Sequence, residues 1–133
     1  MIRTGNYSKS RDPWHANCDK LIPGDSRRFV LTMKISLGKW SEGSLEGLIR
    51  DASLIREPGK RIVYLSDQFL DVPYRESTLI GDRDLPEEFV VNLGALDCFT
   101  LLDYLEAMRR SRSHRDFLQN LRTVRYRNGE VSF

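Results

Sequence analysis

Cysteine and histidine are scarce in this chain, with two of each among 133 residues. The two cysteines, Cys18 and Cys98, lie far apart and form neither a disulfide framework nor a zinc-ligand set. A bridge between them is not expected, since it would consume the one thiol with a chemically interesting setting. No metal and no cofactor is expected. Asp82-Arg83-Asp84 and Glu87-Glu88 offer hard carboxylate ligands, but without the spacing of a calcium loop, and they read as a solvated face. No apolar run reaches membrane-spanning length. The first residues lack the apolar central region of a secretory signal peptide, so the chain as written reads as cytoplasmic. Charge leans little either way: 21 Lys and Arg against 19 Asp and Glu give a net charge of +2. Nothing global demands nucleic acid or an anionic membrane surface.

What is present suits one domain. Hydrophobic residues make up 40% of the chain, enough for a real core. Residues 1–36 mix Gly5, Pro13, Pro23 and Gly24 with polar and basic residues, and only Phe29-Val30-Leu31 is strand-like. This segment is expected to be poorly structured, with Trp14-His15 solvated in it. The folded domain is expected to span 37–133. Trp40 to Ile55 reads as a first helix, capped by Ser41, with Trp40 stapling onto Leu45. Leu45, Leu48, Ile49, Ala52 and Ile55 share its apolar face. Pro58 suits the first turn of a second helix, whose buried face is Ile62, Leu65 and Phe69. Both helices read as scaffold.

Asp71 to Leu93 has no helical period and reads as a long ordered loop carrying Tyr74. The apolar run Val90-Val91-Asn92-Leu93 then turns at Gly94 and leads through Asp97 into Cys98. Phe99, Leu101, Leu102, Leu105 and Met108 follow at helical spacing. Asp97 is a good N-cap, which puts Cys98 at the first helical position. The partial positive charge there favours a thiolate, so Cys98 reads as a nucleophile or, alternatively, as a small buried hydrophobe. Ser113-His114-Arg115-Asp116 predicts the start of another short helix with Phe117, Leu118 and Leu121 buried. Thr123 to Tyr126 alternates as a strand, Asn128-Gly129 is a hairpin signal, and Glu130 to Phe133 reads as the returning strand. The fold class is α+β: helices first, then a nucleophile helix, then a C-terminal β-hairpin.

Leu96-Asp97-Cys98-Phe99-Thr100 resembles the Asp-Cys-Phe-Thr nucleophile motif of the DUF1460 family. These are bacterial N-acetylmuramoyl-L-alanine amidase-like proteins related to the NlpC/P60 cysteine peptidases of papain-like fold. Three other stretches match in the same order. Phe69-Leu70-Asp71-Val72-Pro73-Tyr74 resembles that family's Phe-Leu-Gly-Thr-Pro-Tyr, and Ser77-Thr78-Leu79-Ile80-Gly81 its Asn-Thr-Leu-Ile-Gly. Residues Val124 to Phe133 resemble its Ile-Arg-Tyr-Arg-Asp-Gly-Glu-Val-Ser-Phe. The similarity covers roughly Leu37 to Phe133. The resemblance implies a partial papain-like domain with Cys98 as nucleophile and Asp97 as its helix cap. It places Tyr74 on the oxyanion side; the other reading of Tyr74 is a ring packed on the helices. It also implies peptidoglycan stem-peptide fragments as substrates, and export to the cell envelope in family members.

A cysteine hydrolase needs a base beside its thiol. His114 lies beyond a helix of about twelve residues, roughly 18–24 Å from Cys98. In the family the base comes on a later strand, in an Arg-Asn-His-Phe-Phe type segment, which these residues do not contain. The expectation is therefore a truncated amidase-like domain, inactive or weak by itself, and whether it is an enzyme at all is left open. Self-association through the open hairpin edge is the corresponding expectation for assembly. The alternative is a non-catalytic binding module using the basic set Arg109, Arg110, Arg112, Arg115, Arg122, Arg125 and Arg127. Nucleic acid is not the expected partner, because no aromatic stacking surface accompanies that set.

Overall fold

The computed structural model describes residues 33–132. Trp14, His15, Cys18, the strand-like Phe29-Val30-Leu31 and Phe133 lie outside the described residues. The elements run β1 (Met33–Ser36), α1 (Glu42–Ser53), α2 (Pro58–Asp67), β2 (Phe89–Asn92), α3 (Cys98–Arg109) and α4 (His114–Arg125). A short 3-10 turn, Arg127–Gly129, closes the order. The fold is α+β with helix dominant.

β1 and β2 form a two-stranded parallel sheet, with Met33 opposite Phe89 and Ser36 opposite Asn92. Parallel strands need a crossover, and α1 with α2 supplies it. β1 takes in the last four residues of the segment expected to be poorly structured. All four residues of β2 are buried, the pattern of a parallel strand covered on both faces. That is why its apolar run has no alternation and merges with the loop when read as sequence.

The helix starts follow their local chemistry. Ser41 accepts from the Ser44 amide at 3.1 Å and Ser44 Oγ accepts from the Ser41 amide at 2.8 Å, a reciprocal cap on α1. Pro58 opens α2, where its missing N–H is not needed. Trp40, expected to staple onto Leu45, packs its ring 4.9 Å from that of Phe69 and ties the start of α1 to the end of α2. Arg61 satisfies carbonyls left free at two helix C-termini: its guanidinium donates to Ile55 O beyond α1 and to Arg109 O at the end of α3, each at 2.9 Å. Leu45, Ile49, Leu65, Tyr104, Phe117 and Leu121 are fully buried at the centre of the core.

Two expectations are corrected. The C-terminal hairpin is not formed among the described residues. α4 continues through Thr123–Arg125, because Phe117, Leu121 and Arg125 all engage the rest of the molecule at helical spacing, and that packing outweighs the local alternation. The hairpin turn itself is made: Asn128 and Gly129 both have positive φ, 57° and 70°, and the Glu130 amide donates to Arg127 O at 3.2 Å. No strand flanks it among the described residues, so neither is there an open hairpin edge for self-association. The second correction concerns α3. Phe99 and Leu102 are 78% and 63% exposed, while Thr100, Tyr104, Leu105, Ala107 and Met108 are buried. The buried stripe is rotated away from the face that carries Cys98, Leu102 and Phe99.

Arg125 is a buried cation that joins three elements. Its side chain is 5% exposed and donates to Asp103 Oδ2 at 3.1 Å and to Val90 O at 2.6 Å. It also lies 5.4 Å from the centroid of the Tyr104 ring. Removing Asp103 leaves that cation without its counter-ion. Asp103→Ala is expected to lower the unfolding free energy in urea by about 2–3 kcal/mol, and to cost more than the joint replacement Asp103→Leu with Arg125→Met.

Glu106 accepts from Arg109 at 2.7 Å and from Arg110 at 2.6 Å. The bond from Arg109 is the main cause that holds its carboxyl down to about 2, with the bond from Arg110 adding to it and burial opposing both. A depressed carboxylate stabilises the fold above its unfolded value of about 4.3. That contribution drains away as pH falls toward about 2. Melting temperature is expected to drop over this acid window, and to drop less in Glu106→Gln, which has no proton to take up.

Candidate active site

The site grows out of the turn between β2 and α3. Asn92, the last residue of β2, is 2% exposed, and its Oδ1 accepts from the amides of Gly94 and Ala95 at 3.0 and 3.1 Å. That side chain folds the backbone over on itself, as a short Asn does in turns. The Asn92 amide donates to the Tyr104 hydroxyl at 2.8 Å, so β2 is pinned to the middle of α3. On the outside of the turn, Gly94 meets Gly38. A Cβ on Gly38 would sit 2.6 Å from Gly94 Cα, and Gly38 has φ +59°, so this close approach requires glycine.

The turn delivers Asp97 and Cys98 to the start of α3. Asp97 Oδ1 accepts from the Thr100 amide at 2.8 Å, and Thr100 Oγ1 accepts from the Asp97 amide at 3.0 Å. Thr100 thus completes a reciprocal cap, and at 1% exposure it does so from the buried side of the helix. Cys98 follows as the first residue of α3, an exposed free thiol. This excludes the small-buried-hydrophobe reading of Cys98.

Tyr74 is brought to the same place by backbone pairing. Tyr74 and Leu96 form an isolated parallel bridge. Leu96 N donates to Pro73 O at 3.2 Å and Arg75 N to Leu96 O at 3.0 Å. The Tyr74 ring is 67% exposed rather than packed on the helices. Its hydroxyl is raised above the usual phenol value, first by desolvation, then by the negative charge of Glu76, Cys98 and Asp97 and by hydrogen bonding to Glu76. The phenol is therefore a proton-bearing donor throughout the physiological range, within electrostatic reach of the thiol.

His114 is elsewhere. It starts α4, stacks on Phe117 at 6.5 Å, and donates its backbone amide to Glu46. The whole length of α3, roughly 18 Å at 1.5 Å per residue, separates it along the chain from Cys98. His15 lies outside the described residues. Three of the seven arginines of the basic set are ion-paired internally: Arg109 and Arg110 with Glu106, and Arg125 with Asp103. A shallow cavity of about 240 Å³ is lined by Gln119, Arg122, Thr123, Asn128 and Gly129, none of them a residue of the Cys98 site. Among the described residues no cluster of three or more His, Cys, Asp or Glu is arranged to hold a metal, and no helix is long and apolar enough to cross a membrane.

Asn92 and Gly38 are the supporting residues that sequence reasoning missed. The one signal was an Asn inside an otherwise apolar run two positions before a glycine; Gly38 had none, since its partner is distant in sequence.

The start of α3 thus presents an exposed cysteine on a capped helix N-terminus, with the Tyr74 hydroxyl within electrostatic reach, in an α+β domain. The chain belongs to the AmiA-like, N-acetylmuramoyl-L-alanine amidase-like family, whose model matches residues 64–133, just over half its length. A crystal structure of an N-acetylmuramoyl-L-alanine amidase from Bacteroides uniformis is similar over 68% of this chain, with 30% identity and a TM-score of 0.43. The chain spans 33% of that amidase. No curated protein matches it.

Because Asp97 supplies the cap, Asp97→Ala is expected to lower stability by about 1 kcal/mol in thermal or urea unfolding, and Asp97→Ser to recover most of that loss.

Proposed function

We propose that this chain carries the nucleophile half of a cysteine amide hydrolase directed at peptidoglycan, of the DUF1460 type within the papain-like NlpC/P60 group. The observation that carries the reading is Cys98, exposed at the first position of a capped helix with Tyr74 beside it. Family membership supports the substrate class, an amide bond in or next to the stem peptide of a muropeptide, and with it a place of action at the cell envelope.

The chemistry assigns each residue a task. The Cys98 thiol gives up its proton to a base, and the sulfur attacks the amide carbonyl carbon and forms the C–S bond. The carbonyl oxygen takes up negative charge as its π bond opens. The Tyr74 hydroxyl donates to that oxygen, which is where a preorganised donor lowers the barrier most. Collapse of the intermediate breaks the C–N bond, and the leaving nitrogen needs a proton. Water then attacks the thioester and releases the acid and the thiol. Asp97 touches no substrate; it holds the first turn of α3, and hence Cys98, in place. The proton steps call for a base and acid next to the sulfur, and His114 is at the wrong end of α3 to serve.

The test is hydrolysis of an N-acetylmuramoyl-L-alanine-linked stem peptide by the purified 133-residue chain. Turnover is expected to be several orders of magnitude below that of a complete cysteine–histidine amidase. Any turnover is expected to vanish in Cys98→Ala. Hydrolysis that survives Cys98→Ala would overturn the nucleophile assignment. Fast hydrolysis that depends on Cys98 would overturn the reading that none of the described residues serves as its base.

A further inference from the structure

We infer that Asn92 is the positioning residue for Cys98, acting through the turn rather than on substrate; the inference rests on Cys98 as the nucleophile. Asn92 is a polar side chain at 2% exposure whose acceptor oxygen is fully used by two turn amides, Gly94 N and Ala95 N. Its own amide is used by Tyr104, which belongs to the same helix as Cys98. The hydrogen bonds therefore close a ring: from Asn92 through the turn to Asp97 and Cys98, along α3 to Tyr104, and back to Asn92. Tyr104 is itself immobilised, with 0% exposure and the Arg125 guanidinium over its ring. Such a ring fixes the first turn of α3, and with it Cys98, within electrostatic reach of Tyr74. Buried polar groups that are fully satisfied fix a unique geometry, whereas one lost partner strands two amides. An apolar residue of the same size at position 92 would fill the space and leave the turn unshaped.

The acceptor atom, not the bulk, is what the inference requires, and this separates positioning from general support. The experiment uses the full chain on a Cys18→Ser background, with iodoacetamide alkylation of Cys98 followed at fixed pH. The reference is the same chain in denaturant, and each variant's stability is measured separately. The native rate is expected to differ from the denatured one. Asn92→Ala is expected to move the rate at least threefold toward the denatured value. Asn92→Asp keeps an oxygen acceptor at the same atom and is expected to stay within twofold of the unsubstituted chain, even though a buried carboxylate lowers its stability. A native rate equal to the denatured one would overturn the inference, as would an Asn92→Asp chain that behaves like Asn92→Ala. If Asn92→Ala does not fold, hydrogen exchange in the Cys18→Ser chain decides. The Gly94 and Ala95 amides are expected to be protected at least a hundredfold over their unstructured rates, and exchange at unstructured rates would overturn the inference. The assignment of Cys98 as nucleophile stands or falls separately, on hydrolysis in Cys98→Ala.

Discussion

The buried guanidinium of Arg125 is the constraint on which the arrangement of the last three elements depends. It reaches across from the end of α4 to a carboxylate on α3 and a carbonyl on β2. At 5% exposure its Nε and Nη1 are bonded while the buried Nη2 has no hydrogen-bond partner, so a shift of one element that breaks either bond adds to the desolvation cost of the cation. This is a geometric demand that apolar packing alone does not impose, since Leu and Phe accept many registers. The helical continuation of α4 follows from it. A strand beginning at Thr123 would carry Arg125 away from Asp103, and the pair would be lost.

The same elements hold the site. Tyr104 sits under Arg125 on one side and receives the Asn92 amide on the other. The chain of contacts thus runs from a buried ion pair to the turn that presents an exposed thiol. Each link is directional, and the chain ends on two backbone features, the helix N-terminus that carries Cys98 and the bridge to Leu96 that carries Tyr74.

Much of this was legible in the sequence, and the reasons are local. Ser41, Pro58, Asp97 and Ser113 start helices by bonds, or by a missing bond, within three or four residues, so their patterns announce themselves. Cys98 followed from Asp97. What stayed hidden depends on partners far along the chain. β1 pairs with a strand more than fifty residues later, and a four-residue strand has no period of its own. The alternation of Thr123 to Tyr126 suggested a strand, yet Arg125 had distant partners waiting in Asp103 and the Val90 carbonyl. Asn128-Gly129 did form its turn, because that preference is carried by the two residues themselves. On α3 the apolar spacing was real, but it admits two faces. Leu105 and Met108 lie on the buried one, whereas Phe99 and Leu102 lie with Cys98 on the other.

The family match begins at Tyr64, yet the turn that leads into Cys98 leans on residues well before it. Gly38 lies backbone to backbone against Gly94, and β1 covers β2. The Ser36 carbonyl accepts from the Leu93 amide at 2.9 Å, extending the pairing into the turn itself. Arg61 ties the end of α1 to the last carbonyl of α3. A fragment cut to the matched region would lose the pairing of β1 with β2 and the Ser36 acceptor of the Leu93 amide, and would leave nothing of Gly38 against the outside of the turn. The unit that presents Cys98 is accordingly larger than the unit that the family match delimits, and it starts no later than Met33.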